Sequence, residues 1–423
     1  MGNLLCELKL VLKDRVVLFS VIGITLLSTY SIISGLKESS YENATIERVT
    51  RLVNEDREYN LAKQRDPGGA AYYAFHFTYD PPSSLAFVSR GTRDDLPWKH
   101  RIRMLALEGQ IYESDSGNPE LSLIGKLDFA FVAAFLLPLL SILLLYDLRA
   151  VEIRNNRWAF LSVTSGNGNR LLIIRAVIRS VLLFAGMVIP LLVAAVINNA
   201  NGLNTLVIVA CVALNLIFWC FLTHKLLTRI ESGPTTAALL LCCWFIISVV
   251  IPVGGKFFVE RIISVPEGGE ILLTQREAVN DAWDLPKEAT MTPFLARQPQ
   301  WVNTAKIEKA FEWKWYYAFQ QVGDQTVESI SEQLRSAIAR RDQAMGLISF
   351  VSPALLIKRL LSRAANTDIA SFQHYDRCVR DFHLSLREFH YPMLFGDVEY
   401  SSDQMQKLPV FKPCNVTVDV NIH

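Results

Sequence analysis

Several groups of residues in this sequence have types and spacings that could support chemistry. Asp376, His383 and His390 recur every seven residues, and carboxylate and imidazole are metal-ligating groups. On a helix, however, a seven-residue step spans about 10 Å, so the three are read as a polar helix face and no metal site is expected. His76, His100 and Glu108 could act as acid and base, but without a group to orient them a pair of histidines is more often structural. Cys378 and Cys414 could join as a disulfide in an oxidising compartment. Cys211, Cys220, Cys242 and Cys243 fall in apolar runs, where a small apolar residue is the simpler reading.

Nucleotide and acyl-transfer motifs are missing. "VGGKFF" at Val253 to Phe258 lacks the spacing and hydroxyl of a phosphate loop, and neither a G-x-S-x-G elbow nor H-E-x-x-H occurs. The chain is therefore expected to be no enzyme and to bind no cofactor of its own.

The densest charge cluster lies in "LLLYDLRAVEIRNNRWAFL", Leu143 to Leu161, where an apolar run ends in Asp147, Arg149, Glu152, Arg154 and Arg157 before Trp158. A carboxylate among arginines can bridge one of them or hold a partner's basic group. Trp158 to Leu161 offers apolar contacts, and a helix of this type can press into a groove on another subunit. An ordinary basic loop would account for the arginines equally well.

These residues need elements to position them, and composition says which. Of 423 residues 51% are hydrophobic and only 20% charged, with a net charge of +1, which is too apolar for an ordinary soluble enzyme and too neutral for a nucleic-acid partner. Five charge-free runs approach the roughly 20 residues that a bilayer requires: 16–36, 129–146, 181–197, 205–222 and 235–253. None carries a carboxylate, His, Lys or Arg, so an ion relay within the membrane is not expected. Their polar residues, Thr25, Ser28 and Thr29 on one helix face, with Ser141, Asn215 and Ser248, suit helix packing or a weakly polar translocation face.

Lys and Arg set the orientation, because basic loops stay cytoplasmic. Residues 1–15, the 147–180 loop, and Lys225 with Arg229 are basic, whereas 198–204 has no Lys or Arg. The N-terminus is expected in the cytoplasm, the first span is an uncleaved anchor, and Arg175 and Arg179 snorkel to the cytoplasmic interface. Segments 37–128 and 254–423 then lie outside, each long enough for its own core or both for a shared one. The first alternates like a strand in "AAYYAFHFTYD", and the second reads mainly helical. The expected fold is an α-helical transmembrane bundle with five spans and a large α+β extracytoplasmic domain. "MGLISFVSPALLIKRLL", 345–361, is short for a span and is read as an interfacial helix. Trp313 and Trp315 in "EKAFEWKWYYAF" could meet a partner or the membrane surface, or build an aromatic core.

The loop "DLRAVEIRNNRWAFL" resembles the segment after the second span in ABC-2 type permeases, of form D-L-R-x-x-E-R-x-x-G. Asp147, Leu148, Arg149 and Glu152 match, while Asn156 stands where the glycine is usual. Blocks across most of the chain resemble a branch of that family with large outer domains: "DPPSSLAF" from Asp80, "RDDLPWKHRIRMLALEGQIYESDSGNPELSLIGKLDF" from Arg93, "REAVNDAWDLPKEATM" from Arg276, "FEWKWYYAFQQVGD" from Phe311 and "SPALLIKRLLSRAANTD" from Ser352. That branch generally carries a final span after a stretch like "LPVF", Leu408 to Phe411, so the resemblance leads to the expectation that a sixth span is absent, supplied by another chain, or cut from this one.

The resemblance implies a permease subunit in a bacterial inner membrane. It pairs with a second copy or a sister permease and recruits a cytoplasmic ATPase dimer that binds ATP and magnesium. Asp147, Arg149, Glu152, Arg154, Arg157 and Trp158 would be the coupling element, with Glu152 ordering the loop or touching the ATPase. Lipid and an envelope or periplasmic protein are further expected partners. The competing reading is a non-transporting membrane scaffold or sensor that holds envelope partners through its outer domain.

Overall fold

Asp14 opens the first long helix by accepting a hydrogen bond from the Val16 amide at 3.0 Å, a capping geometry that satisfies an otherwise orphaned donor. The computed structural model describes residues 2–113, 127–164 and 168–414. In chain order the elements are α1 (Gly2–Val11), α2 (Arg15–Leu61), α3 (Pro67–Tyr73), β1 (His76–Tyr79), β2 (Lys99–Ile102) and α4 (Leu107–Tyr112). Then come α5 (Phe129–Arg154), α6 (Trp158–Thr164), α7 (Gly168–Ile197), α8 (Gly202–Leu227) and α9 (Gly233–Ile262). The chain continues through α10 (Gly268–Asp281), α11 (Lys287–Arg297), α12 (Trp313–Ser349), α13 (Pro353–Ala364), α14 (Ile369–Leu394) and α15 (Ser402–Met405).

Helices α2, α5, α7, α8 and α9 are long and apolar enough to cross a bilayer, and the chain is a helical membrane protein. Each exceeds its charge-free run. The largest difference is in α2, which continues unbroken for 47 residues, about 70 Å. Only its first 20 or so residues match a bilayer's hydrocarbon thickness, and the remainder projects as a polar stalk from Lys37 to Leu61.

Two spans contain a π turn, Val132–Leu136 in α5 and Ile246–Val250 in α9. Each lies just ahead of a proline, Pro138 and Pro252. A proline ring clashes with the carbonyl four residues earlier and offers no donor, and a widened turn relieves that crowding. In α5 the Leu137 amide bonds to Val132 O, so Ala133 O receives neither Leu137 nor the absent Pro138 donor. Asn215 of α8 supplies the missing bond, its Nδ2 donating to Ala133 O at 2.9 Å.

One core joins α2, α5, α7 and α8 with the 85–88 loop and the buried face of α13, through Ala354, Ile357 and Leu361. The single interfacial helix expected over 345–361 is therefore not formed. Chain order breaks it: α12 ends at Ser349, and Ser352 caps α13 by accepting from the Leu355 amide at 3.3 Å. Pro353 follows at a first-turn position where its missing donor costs nothing.

A second core builds the polar domain. Ala70, Ala71, Ile102, Met104 and Leu107 from before α5 pack with Phe294, Trp315, Phe319, Val379 and Leu386 from after α9. The two long segments thus fold into one body rather than two. Its strand content is a two-stranded antiparallel sheet, pairing His76 with Ile102 and Thr78 with His100, so among the described residues the domain is far more helical than the expected α+β mixture.

Candidate functional site

The charged elbow between α5 and α7 is braced to the helices around it. Glu152 is buried, and its Oε1 accepts from Arg175 Nη1 at 2.8 Å while Oε2 lies 2.9 Å from Arg157 Nε. Arg175 also donates to both carboxylate oxygens of Glu7 in α1, at 2.9 and 3.1 Å. Arg179, one turn later, reaches Leu144 O at 2.6 Å and the Asp14 carboxylate at 3.1 Å. The two α7 arginines are thus held by acidic groups of the N-terminal helices and by α5 rather than lying free at an interface.

Arg149 donates to Leu227 O and Thr228 O at 3.1 and 3.0 Å, capping the carbonyl end of α8, where a cation is favoured by the helix dipole. Arg154 pairs with Asp147 at 2.7 Å. Asp147 in turn fits against the start of α9, because a Cβ at Gly233 would lie 2.3 Å from its carboxylate oxygen. The elbow therefore makes contact with α7, α8 and α9, and the same α7 arginines reach on to α1 and to Asp14 at the cap of α2.

Asn156 makes a tight turn after the end of α5. Its φ is 55°, the left-handed region in which asparagine is among the best tolerated non-glycine residues. The Arg157 amide bonds to Glu152 O and the Asn156 amide to Ile153 O, both at 2.9 Å, which closes the helix end. The chain then enters α6, a short helix with no buried residue. Trp158 is half-buried beside Arg149, whose guanidinium stands 5.4 Å from its ring. Phe160 and Val163, one turn apart, are 70% and 80% exposed. The sequence reading offered Trp158 to Leu161 as the apolar contact, which includes Phe160, and missed Val163; the i, i+3 spacing of the two was the available signal.

The other expected site residues are occupied by packing. Ser28 donates to Met187 O of α7 at 3.0 Å, and Thr25 bonds its own helix at Val21 O, 2.8 Å away, beside the close approach of Gly186. Thr29 is half-buried on the same helix. With Asn215 bound to Ala133 O, the expected translocation face consists of helix contacts. Trp315 is buried and donates to Thr290 Oγ1 at 3.0 Å, and Trp313 stacks among Tyr72, Tyr316 and Tyr317. Their place is an aromatic core, which corrects the partner or membrane-surface reading.

Asp376, His383 and His390 do not converge. Asp376 pairs with Arg380 at 2.9 Å, and His383 Nε2 lies 2.8 Å from Leu105 O. His390 is buried, and burial lowers its pKa to about 3. His374, Cys378 and Cys414 do place a nitrogen and two sulfurs within 4.8 Å of one another. The sulfurs are bonded to each other as a disulfide, so neither is a thiolate ligand.

At the opposite end of the bundle from the elbow, the spans meet the polar domain in a buried ionic junction that sequence reading did not find. Glu42, on the stalk of α2, is buried and accepts from Arg90 Nη2 at 2.6 Å and Arg93 Nη2 at 2.9 Å. Arg93 continues to the Asp80 carboxylate at 2.5 Å. Asp128, which caps α5 by accepting from the Phe131 amide at 2.7 Å, also accepts from the Arg90 amide at 3.1 Å. Ser89 and Ser362 hydroxyls meet at 2.8 Å, tying the same loop to α13. The junction thereby links α2, α5 and α13 to the 80–94 loop.

Fold and sites together define a helical membrane protein with a braced, charged elbow at one end and a large polar domain locked to the other. Residues 269–413 match the family described as a domain of unknown function (DUF3526). That stretch begins in α10 and ends after α15, and its core is completed by α3, β2 and α4 from before the second span. No curated protein matches the chain, and no solved structure does.

Proposed function

We propose that this chain is the membrane subunit of an ATP-driven transporter of the ABC-2 type. A separate cytoplasmic ATPase dimer binds ATP and magnesium and docks on the elbow; the chain itself is not the enzyme. In this reading the N-terminus and elbow face the cytoplasm of a bacterial inner membrane, and the polar domain is extracytoplasmic. The permease pairs with a second copy or a sister permease, and the polar domain is available to a periplasmic or envelope partner.

The observation that carries the reading is the contrast within the elbow. Phe160 and Val163 stand outward on α6, while the base of the elbow is tied through Glu152, Arg175, Glu7 and Arg149 to three other elements, α7, α1 and α8. Exposed apolar anchors on a rigid base suit a groove-filling contact. A push on α6 then acts on α5 and α7 as a unit, and the Glu42 and Asp128 junction carries the motion into the polar domain. Glu152 serves as the loop's internal brace rather than as the ATPase contact.

Affinity purification of the full chain from its native membrane tests this. An ATPase subunit is expected to co-purify with the wild type and to be lost with the double variant Phe160→Ser, Val163→Ser. Equal retention in the variant, or envelope proteins retained with no ATPase at all, would favour a non-transporting scaffold and reject the proposal.

A further inference from the structure

An open cleft of about 580 Å³ lies in the polar domain between β2 and α10, a size suited to a small-molecule ligand. Its basic wall follows from strand alternation. In β2, His100 and Ile102 point into the core, while Lys99 and Arg101 point outward and Arg103 follows two residues on.

The side chains of this wall are held flat with donors to spare. Arg101 lies over the Phe75 ring at 3.7 Å, and Arg103 over Tyr72 at 4.4 Å and Phe75 at 5.0 Å. Such stacking fixes the guanidinium plane and leaves its edge for bidentate acceptors. Arg103 uses one donor, to Tyr72 O at 3.3 Å. For Arg101 the paired carboxylate is Asp56, 3.9 Å away with both side chains half exposed or more, a contact of little weight. Lys99 stands over Trp98 at 4.9 Å and has no carboxylate partner among the described residues. The opposite wall adds Arg276, which pairs with Glu113 at 2.5 Å, and the Asn280 amide.

Lys99, Arg101, Arg103 and Arg276 thus face one cleft against two carboxylates, Glu113 at its wall and Asp56 at its edge. We infer that this cleft binds a small molecule bearing two or more phosphate or carboxylate groups, seated across the Arg101 and Arg103 forks with Lys99 and Arg276 at its ends. Charge-assisted bidentate bonds are the strong ones available to such donors. The inference does not depend on the elbow docking an ATPase, because its residues and its readout lie wholly in the polar domain.

Titration calorimetry on the full-length protein in neutral detergent at low salt, with inorganic pyrophosphate as probe, tests the site. Saturable binding is expected, weakened about ten-fold in Lys99→Gln and in Arg101→Gln, as loss of one charge-assisted bond at about 1.4 kcal/mol predicts. Both residues are exposed, so these variants keep the fold. Arg48→Gln, an exposed arginine of the stalk, is expected to bind like the wild type. A second arm uses cardiolipin vesicles, whose headgroup carries two phosphates: affinity for vesicles alone, lost in the same two variants, assigns the anion to a lipid headgroup rather than a free solute. Absence of binding to both probes, or equal weakening by Arg48→Gln, would overturn the site.

Discussion

Asn215 reaches from α8 into the π turn of α5 and donates to Ala133 O at 2.9 Å. The carbonyl needs that donor because Leu137 is engaged with Val132 O and Pro138 has none to give. A buried carbonyl left without a partner in a dry helix bundle costs about 1 to 3 kcal/mol. Asn215→Leu is therefore expected to lower the unfolding free energy by that amount, read as a fall in thermal midpoint in detergent. Asn215→Ala with Pro138→Ala together should recover most of the loss, since the second change allows the ordinary helical bond. A single Asn215→Leu variant as stable as the wild type would refute the role.

Glu42 offers a harsher test. Its carboxylate is shared by Arg90 and Arg93, and all three side chains are nearly inaccessible. Removing one member of such a group strands the other charges, at about 3 to 5 kcal/mol. Glu42→Gln is expected to destabilise the protein by that order and to expose the 80–94 loop to protease in otherwise intact protein. Protection equal to wild type would mean that the junction does not hold the stalk to the domain.

The disulfide between Cys378 and Cys414 joins α14 to the chain after α15 across 36 residues. Closing a loop of that length restricts the unfolded chain by about 3 to 4 kcal/mol in the entropic account. Reduction, or Cys414→Ser, should lower the thermal midpoint while leaving α2 to α9 assembled. Mass spectrometry of the unreduced protein checks the premise directly, and free thiols at both positions would remove it.

What could be read from sequence was mostly local. The charge-free runs mark all five candidate spans because lipid admits few alternatives. The seven-residue recurrence of Asp376, His383 and His390, read as one helix face, falls inside α14, because one helix carries its own period. Long-range pairings were not legible. Glu7 and Arg175 are 168 positions apart, and nothing in either neighbourhood names the other. Glu42 looked like one more charge on a polar stretch, since burial by a loop 48 residues on leaves no trace in its own spacing. The tryptophans of α12 were left open between a partner, the membrane surface and an aromatic core for a related reason: their outward or inward sense depends on Tyr72 and Thr290, which come from other elements.

Four buried histidines give the polar domain a defined acid limit, and for His383 burial, with Arg387 beside it, pushes the pKa well below the usual imidazole range. Burial pushes His76 down to about 3, with Arg57 and His390 nearby adding to the effect; burial likewise pushes His390 to about 3, and His100 to about 4 against the opposing pull of Asp376. In the unfolded chain each imidazole titrates near its ordinary value of about 6.5. Their folded values are depressed, so below that pH the unfolded state takes up protons that the folded state refuses. Stability is fully present above about pH 6.5 and is lost as pH falls toward the folded values. At pH 5 each such group has withdrawn on the order of 2 kcal/mol. The thermal midpoint of the full chain is expected to fall as pH drops below about 6.5 and to keep falling toward about pH 4, the window set by the unfolded and folded values. His390→Leu, which removes a side chain whose Nδ1 has no partner, should flatten that slope relative to the wild type. An unchanged slope in this variant, with the wild type still acid-sensitive, would place the protons on other groups.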